Sequence, residues 1–156
     1  MASLIAEGRN VLVTRTFSKI YGLAGLRIGY ALCHPEIADI LNRVRQPFNV
    51  NALALIAAKT ALEDQQHVRL SQEHNQRMKE QLEQYLQKKG WNYLPSQANF
   101  LTVHFSKQTE TVYQYLLRQG IILRPLANYG MPEYLRITLG TEADNTYLMQ
   151  CLSHIS

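Results

Sequence analysis

Residues 10–14, Asn-Val-Leu-Val-Thr, constrain the fold more than any other stretch of this 156-residue sequence. A short continuous apolar run reads as a strand buried on both faces, and such strands sit inside parallel sheets with neighbours on either side. Only the short lead Ala2–Gly8 stands before it. The neighbours are therefore expected from elsewhere, and the chain reads as the carboxyl-terminal part of something longer.

Glycines crowd the next stretch, with Gly22, Gly25 and Gly29 inside Tyr21–Tyr30. Pro35 suits the first position of a helix that follows His34, with Ile37, Ile40, Leu41 and Val44 on one face and Pro47 as its end. Asn49 or Asn51 can cap an Ala- and Leu-rich helix running to about Leu62. A long polar helix is expected from Gln66 to Lys89, with Met78, Leu82, Tyr85 and Leu86 as its buried stripe and Gly90 as its stop. Asn99–Phe105 alternates as a strand with Leu101, Val103 and Phe105 on one face. Thr109–Gln119 reads as a helix ended by Gly120. Ile121–Arg124 reads as a strand stopped by Pro125, and Tyr134–Thr138 as another. Thr141 caps a last helix to about Ser153, with Tyr147, Leu148, Cys151 and Leu152 inward. The fold class is α/β. Residues 1–65 are expected to be the end of a large domain's sheet with its loop and helices, and residues 66–156 a small α/β domain.

Composition removes several classes of function. The net charge is +4 and the isoelectric point about 9.1, but the basic residues are scattered. Their longest cluster, Lys88-Lys89, falls at a helix end where cations suit the dipole. No concentrated basic stripe marks a nucleic-acid surface; arginines that grip small anions account for the surplus equally well. No apolar run approaches the roughly 18–20 residues of a membrane span. Met1–Asn10 has no basic segment followed by an apolar stretch, so no secretory leader is expected; the two cysteines lie far apart, so a cytoplasmic location is expected and a disulfide scaffold is not. The five histidines form no ligand pair at helical spacing, so no metal is expected.

The chemistry concentrates in Thr14–Tyr30. A strand delivers Thr16, Ser18 and Lys19 to its carboxyl end, where α/β proteins hold ligands. Two hydroxyls and the Arg27 guanidinium are donors for a phosphate. Burial and the charge of Arg27 would disfavour the ammonium form of Lys19, which makes an amine nucleophilic. Ser18 precedes Lys19 with no glycine before the pair, so this is not a P-loop, and the dinucleotide fingerprint is absent. A phosphate beside a reactive lysine, without a nucleotide loop, points to pyridoxal 5′-phosphate.

Ser18-Lys19 followed by Gly22-Leu23-Ala24-Gly25-Leu26-Arg27-Ile28-Gly29-Tyr30 resembles the cofactor-lysine signature of fold-type I aminotransferases, in the histidinol-phosphate branch. Pro47–Asn51, Ala98-Asn99-Phe100, Ile122–Pro125 and Leu135–Thr138 follow in family order. The resemblance implies that Lys19 holds the cofactor aldehyde and shuttles the substrate proton, while Thr16, Ser18 and Arg27 bind its phosphate. It assigns Arg136 to the substrate carboxylate, Arg124 to the distal group of the substrate, and Asn99 to the same pocket. It further implies a homodimer, small amino-acid or amino-phosphate substrates, and amino transfer between histidinol phosphate and 2-oxoglutarate. In the family the acidic partner of the cofactor ring and its stacking aromatic lie upstream of the lysine, so these residues alone are expected to be inactive or nearly so. A decarboxylase of a phosphorylated amino acid would use the same lysine and arginines, and a non-catalytic self-associating domain is the alternative of another class. Thr16 and Ser18 also suit a turn that bonds its own backbone, Arg136 a solvated strand face, and Arg124 the extended residue before a proline.

Overall fold

The computed structural model describes residues 2–155. The chain divides into two compact units, Met1–Gln72 and Glu73–Ser156. In the first, a short helix α1 (Ala2–Ala6) precedes strands β1 (Val13–Thr16) and β2 (Gly29–Leu32), followed by helices α2 (Pro35–Val44) and α3 (Ala52–Glu63). Helix α4 (Gln65–Lys88) begins there and continues into the second unit.

The apolar run at residues 10–14 does not behave as its composition predicts. The strand starts three residues later and pairs antiparallel with β2, Val13 opposite Leu32 through Thr16 opposite Gly29. Only Val13 of β1 is buried, and β2, hidden among the glycines in the sequence, is exposed along its length. Apolar content records a preference for burial and not the direction of a neighbour, so it cannot separate a hairpin from a parallel sheet. The small core here is Phe17, Ile28, Ala54 and Ala58, with Tyr21, Leu23 and Val50 against it. Pro35 starts α2 as expected, and Asn51 caps α3 by accepting the Leu53 N–H at 2.7 Å. No residue of α2 is buried. Its apolar face exists, but Ile40, Leu41 and Val44 are exposed within this unit.

The second unit is a four-stranded antiparallel sheet in the order β3-β4-β6-β5. Its strands are β3 (Tyr93–Leu94), β4 (Phe100–His104), β5 (Arg124–Leu126) and β6 (Met131–Thr138), with helices α5 (Thr109–Arg118) and α6 (Glu142–Ser153) completing it. Strand alternation sends Leu101 and Val103 of β4 and Leu135 and Ile137 of β6 into one core. There they meet Leu82 and Leu86 of α4, Val112 and Leu116 of α5, and Leu148 and Leu152 of α6. Strand β3 is too short to leave a period in the sequence. Strand β5 runs through Pro125 instead of stopping before it, because an edge strand can spare one N–H. Tyr85 and Tyr147 are less buried than the helical spacing implies: the Tyr147 phenol reaches the rim of the core, whereas the Tyr85 hydroxyl oxygen is itself buried with no hydrogen-bond partner among the described residues. Tyr85 is half-buried, and desolvation pushes its pKa up. Tyr147 is exposed and donates its hydroxyl to the Gln119 carbonyl at 3.2 Å.

Thr141 caps α6 in a reciprocal box. Its hydroxyl accepts from Asp144 N at 3.2 Å, and the Asp144 carboxylate accepts the Thr141 N–H at 2.9 Å and its hydroxyl at 2.6 Å. These bonds, the side-chain one first, hold the Asp144 carboxyl below its ordinary 3.8. A carboxyl whose folded pKa is depressed stabilises the fold above its unfolded pKa and loses that contribution as pH falls through the folded one. Asp144→Asn is therefore expected to lower the thermal midpoint at neutral pH, with the deficit closing as the solution is acidified below the ordinary carboxylate range. Melting curves recorded across that range would contradict the cap if the deficit stayed constant.

Candidate active site

Thr16, Ser18, Lys19 and Arg27 lie at or just beyond one end of the β1–β2 hairpin. Beyond the last strand pair, Thr16 and Gly29, the Phe17 N–H donates to the Ile28 carbonyl at 3.2 Å. Ser18 and Arg27 are the next residues on either side. Inside the loop, Leu23 N donates to the Phe17 carbonyl at 3.0 Å and Gly22 N to the Lys19 carbonyl at 2.9 Å. The second bond closes a turn in which Gly22 takes φ +69°, a value that glycine reaches without strain. Arg27 also adopts the left-handed region, φ 50°, which carries its side chain back to donate to the Ala24 carbonyl at 2.8 Å. Phe17 anchors the loop from below, its ring 4.9 Å from Tyr21 and 5.7 Å from Tyr30. His67, on the first turn of α4, bonds the Ile20 carbonyl at 2.9 Å.

The Thr16 hydroxyl oxygen accepts the Ser18 N–H at 3.0 Å, as the turn reading of these residues requires. That bond uses a lone pair and leaves the hydroxyl hydrogen free to donate. Arg27 is exposed, with most of its N–H groups remaining beyond the single bond to Ala24, and Ser18 is half-buried. This donor set fits a phosphate, and the Lys19 amine on the same loop fits an aldehyde. Lys19 itself is exposed in this unit rather than buried as the sequence predicts.

Gly29 leaves no room for a side chain against the facing strand. A Cβ built there would stand 2.6 Å from the Arg15 carbonyl oxygen, which is backbone and cannot swing aside. Gly29→Ala is expected to destabilise the hairpin by about 1–3 kcal/mol through overpacking, read as a lower denaturation midpoint. An unchanged midpoint would mean that the loop tolerates displacement.

In the second unit the arginines are cross-strand neighbours. Register places Arg124 of β5 directly opposite Arg136 of β6, and Thr102 of β4 opposite Arg136 on its other side. Leu135 and Ile137 are buried, so Arg136 lies on the face turned away from the helices, as its place between them predicts. Its guanidinium sits over the Phe100 ring, 5.0 Å from the centroid, and its Nε is buried with no hydrogen-bond acceptor among the described residues. Arg124 is exposed and donates to the Tyr129 hydroxyl at 3.1 Å. Like charges directly opposite on a sheet repel, and an anion between them is the natural complement. Asn99 leads into β4, its side chain exposed and its carbonyl held by Leu139 N at 2.9 Å. Phe100 and Tyr129, which seat the two guanidiniums, escape a reading of the sequence because only register reveals which ring faces which cation.

Each unit thus holds one half of the expected residue set, an amine with phosphate donors in the first and paired guanidiniums in the second. The chain belongs to the class I and II aminotransferases: the model of that family matches residues 2–152. Its relatives include histidinol-phosphate aminotransferase 2 of Pseudomonas fluorescens, 51% identical over 97% of this chain, and histidinol-phosphate aminotransferase 1 of Nitrosococcus oceani, 50% identical over 94%. The chain spans 41% and 40% of the lengths of those two proteins. The solved structure of histidinol-phosphate aminotransferase from Sinorhizobium meliloti in complex with pyridoxal-5′-phosphate matches with a TM-score of 0.80 at 28% identity, over 94% of this chain and 42% of that one. No helix among the described residues is long and apolar enough to cross a membrane.

Proposed function

We propose that this chain supplies the lysine and the anion-binding residues of a pyridoxal-phosphate-dependent aminotransferase that exchanges an amino group between histidinol phosphate and 2-oxoglutarate, a step of histidine biosynthesis. The observation that supports the reading is the hairpin end, where the last residue of β1 and the loop beyond it carry two hydroxyls, a primary amine and a guanidinium. Thr16, Ser18 and Arg27 hold the cofactor phosphate, and Lys19 Nζ holds its aldehyde. When bound, the cofactor supplies an electron sink for the charge that develops at the substrate α-carbon. Once the substrate amine takes its place on the aldehyde, the freed Lys19 Nζ would take the proton from that carbon, as general base and then acid. Arg136, aimed by the Phe100 ring, orients the carboxylate of the glutamate or 2-oxoglutarate partner. Arg124 takes the distal anion, which for histidinol phosphate is the phosphate, and Asn99 lines the same pocket.

The catalytic unit on this reading is a cytoplasmic homodimer that joins these residues to the elements filling the remaining length of the relatives, and the 156-residue chain alone turns over little or nothing. On this reading residues 1–65, with the lysine loop and its helices, belong to a large domain, and residues 66–156, with the arginine sheet, form a small one. Exposed apolar residues in the first unit, Val44 at 75% and Phe48 at 98% among them, support an assembly that covers them.

Replacing the lysine tests the reading directly. In the cofactor-loaded enzyme, Lys19→Ala is expected to reduce amino transfer by at least about 10²–10⁴-fold, the scale of a lost acid–base group. Borohydride reduction followed by mass analysis should then find no cofactor attached to the protein. Covalent cofactor persisting in that variant would reject Lys19 as its anchor.

A further inference from the structure

Lysine 79 is buried on α4, 8% exposed, and no carboxylate among the described residues pairs with it. Its ammonium donates instead to a main-chain carbonyl, Ser96 O at 3.2 Å. Four residues earlier on the helix, Asn75 donates to Ala98 O at 3.3 Å. His74 beside it bonds Gly140 O at 2.9 Å. Three side chains on adjacent turns of one helix thus hold two loops, residues 95–99 ahead of β4 and residues 139–141 behind β6. The loops are also tied to each other, through Leu139 N and the Asn99 carbonyl at 2.9 Å. Directly after the first comes Phe100, the ring beneath the Arg136 guanidinium.

A buried ammonium without a counter-ion is expensive unless its hydrogens find acceptors. An apolar side chain could fill the same space, so the position of Lys79 calls for a reason beyond packing. We propose that Lys79, assisted by Asn75, is a positioning residue for substrate recognition: it fixes the 95–99 loop, and through that loop the Phe100 platform that aims Arg136 at the substrate carboxylate. The inference rests on the assignment of Arg136 above. Lys79 touches no reacting atom; it acts through Ser96 and the chain that follows.

The test uses the cofactor-loaded enzyme with glutamate as the titrant. Lys79→Met is expected to raise the KM for glutamate about tenfold, the scale of one hydrogen bond to a charged group, while kcat stays within about twofold. The cofactor absorbance spectrum should be unchanged. Amide hydrogen exchange should accelerate at Asn99–Phe100 and at Leu139 and not in α6, a readout that needs neither cofactor nor turnover. A kcat loss matching the change in kcat/KM, or unaltered exchange in both loops, would overturn the proposal. Asn75→Ala, at a half-buried position, is expected to shift the same two readouts in the same direction by a smaller factor; it decides the matter if the Lys79 variant does not fold. Arg136→Lys separates the two claims. If it leaves the glutamate KM unchanged, the carboxylate assignment fails; if it raises that KM while Lys79→Met and Asn75→Ala do not, the positioning role fails alone.

Discussion

A guanidinium on a sheet has to be aimed by something, and for Arg136 the aim comes from the register of β6 between β4 and β5. Leu135 and Ile137 are locked into the core with Leu101 and Val103, so a one-residue slip would turn Arg136 inward and expose two leucine-sized side chains. Register also sets Arg124 opposite Arg136 and Thr102 on the other flank. The repulsion this builds in is softened by the Phe100 and Tyr129 rings beside the two cations, at 5.0 and 5.7 Å. An anion would complete the arrangement. On the proposed assignment of Arg136, core packing and ligand binding are therefore the same constraint seen from the two faces of one strand.

The lysine loop is held by different means. Its geometry comes from main-chain bonds, Phe17 to Ile28, Leu23 to Phe17 and Gly22 to Lys19, and from a few side chains that bond the main chain: Thr16, Arg27 and His67. Such a loop keeps its shape with little side-chain packing, and it leaves Thr16, Lys19 and Arg27 facing outward. The rest of the first unit is correspondingly bare, with Leu53, Leu55 and Ile56 of α3 exposed alongside α2. The second unit instead encloses thirteen buried residues in one cluster. On the proposed reading this asymmetry is functional, because a cofactor site needs an open cradle that other elements close, whereas a substrate clamp needs a rigid frame of its own.

Much of this was legible in residue order. Local signals carried the helices: Pro35 at a start, Asn51 and Thr141 as caps, Gly90 and Gly120 as stops. Alternation at Leu101, Val103 and Phe105 marked β4, and the motif from Ser18 to Tyr30 marked the loop. What escaped was non-local. The run at residues 10–14 says that burial is preferred and nothing about which strand provides it. Pro125 forbids a central strand but permits an edge, and edge status depends on the whole sheet. The Arg124–Arg136 pair and the Phe100 platform exist only once register is set.

The polarity of α4 follows from the same logic. A helix of 24 residues could bury its stripe, Met78, Leu82 and Leu86, and leave everything else to solvent. Yet loops packed against a helix bring carbonyls that no sheet ladder satisfies, and a buried carbonyl left without a donor costs about 1–3 kcal/mol. Side chains that carry an N–H donor answer such carbonyls, and an ammonium on a long stem reaches farthest. His74, Asn75 and Lys79 sit beside the apolar stripe where such carbonyls arrive. A methionine at position 79 would pack as well and leave Ser96 unanswered. The composition that reads as merely hydrophilic in the sequence is thus, along this edge of the helix, a row of donors matched to the loops that flank β4 and β6.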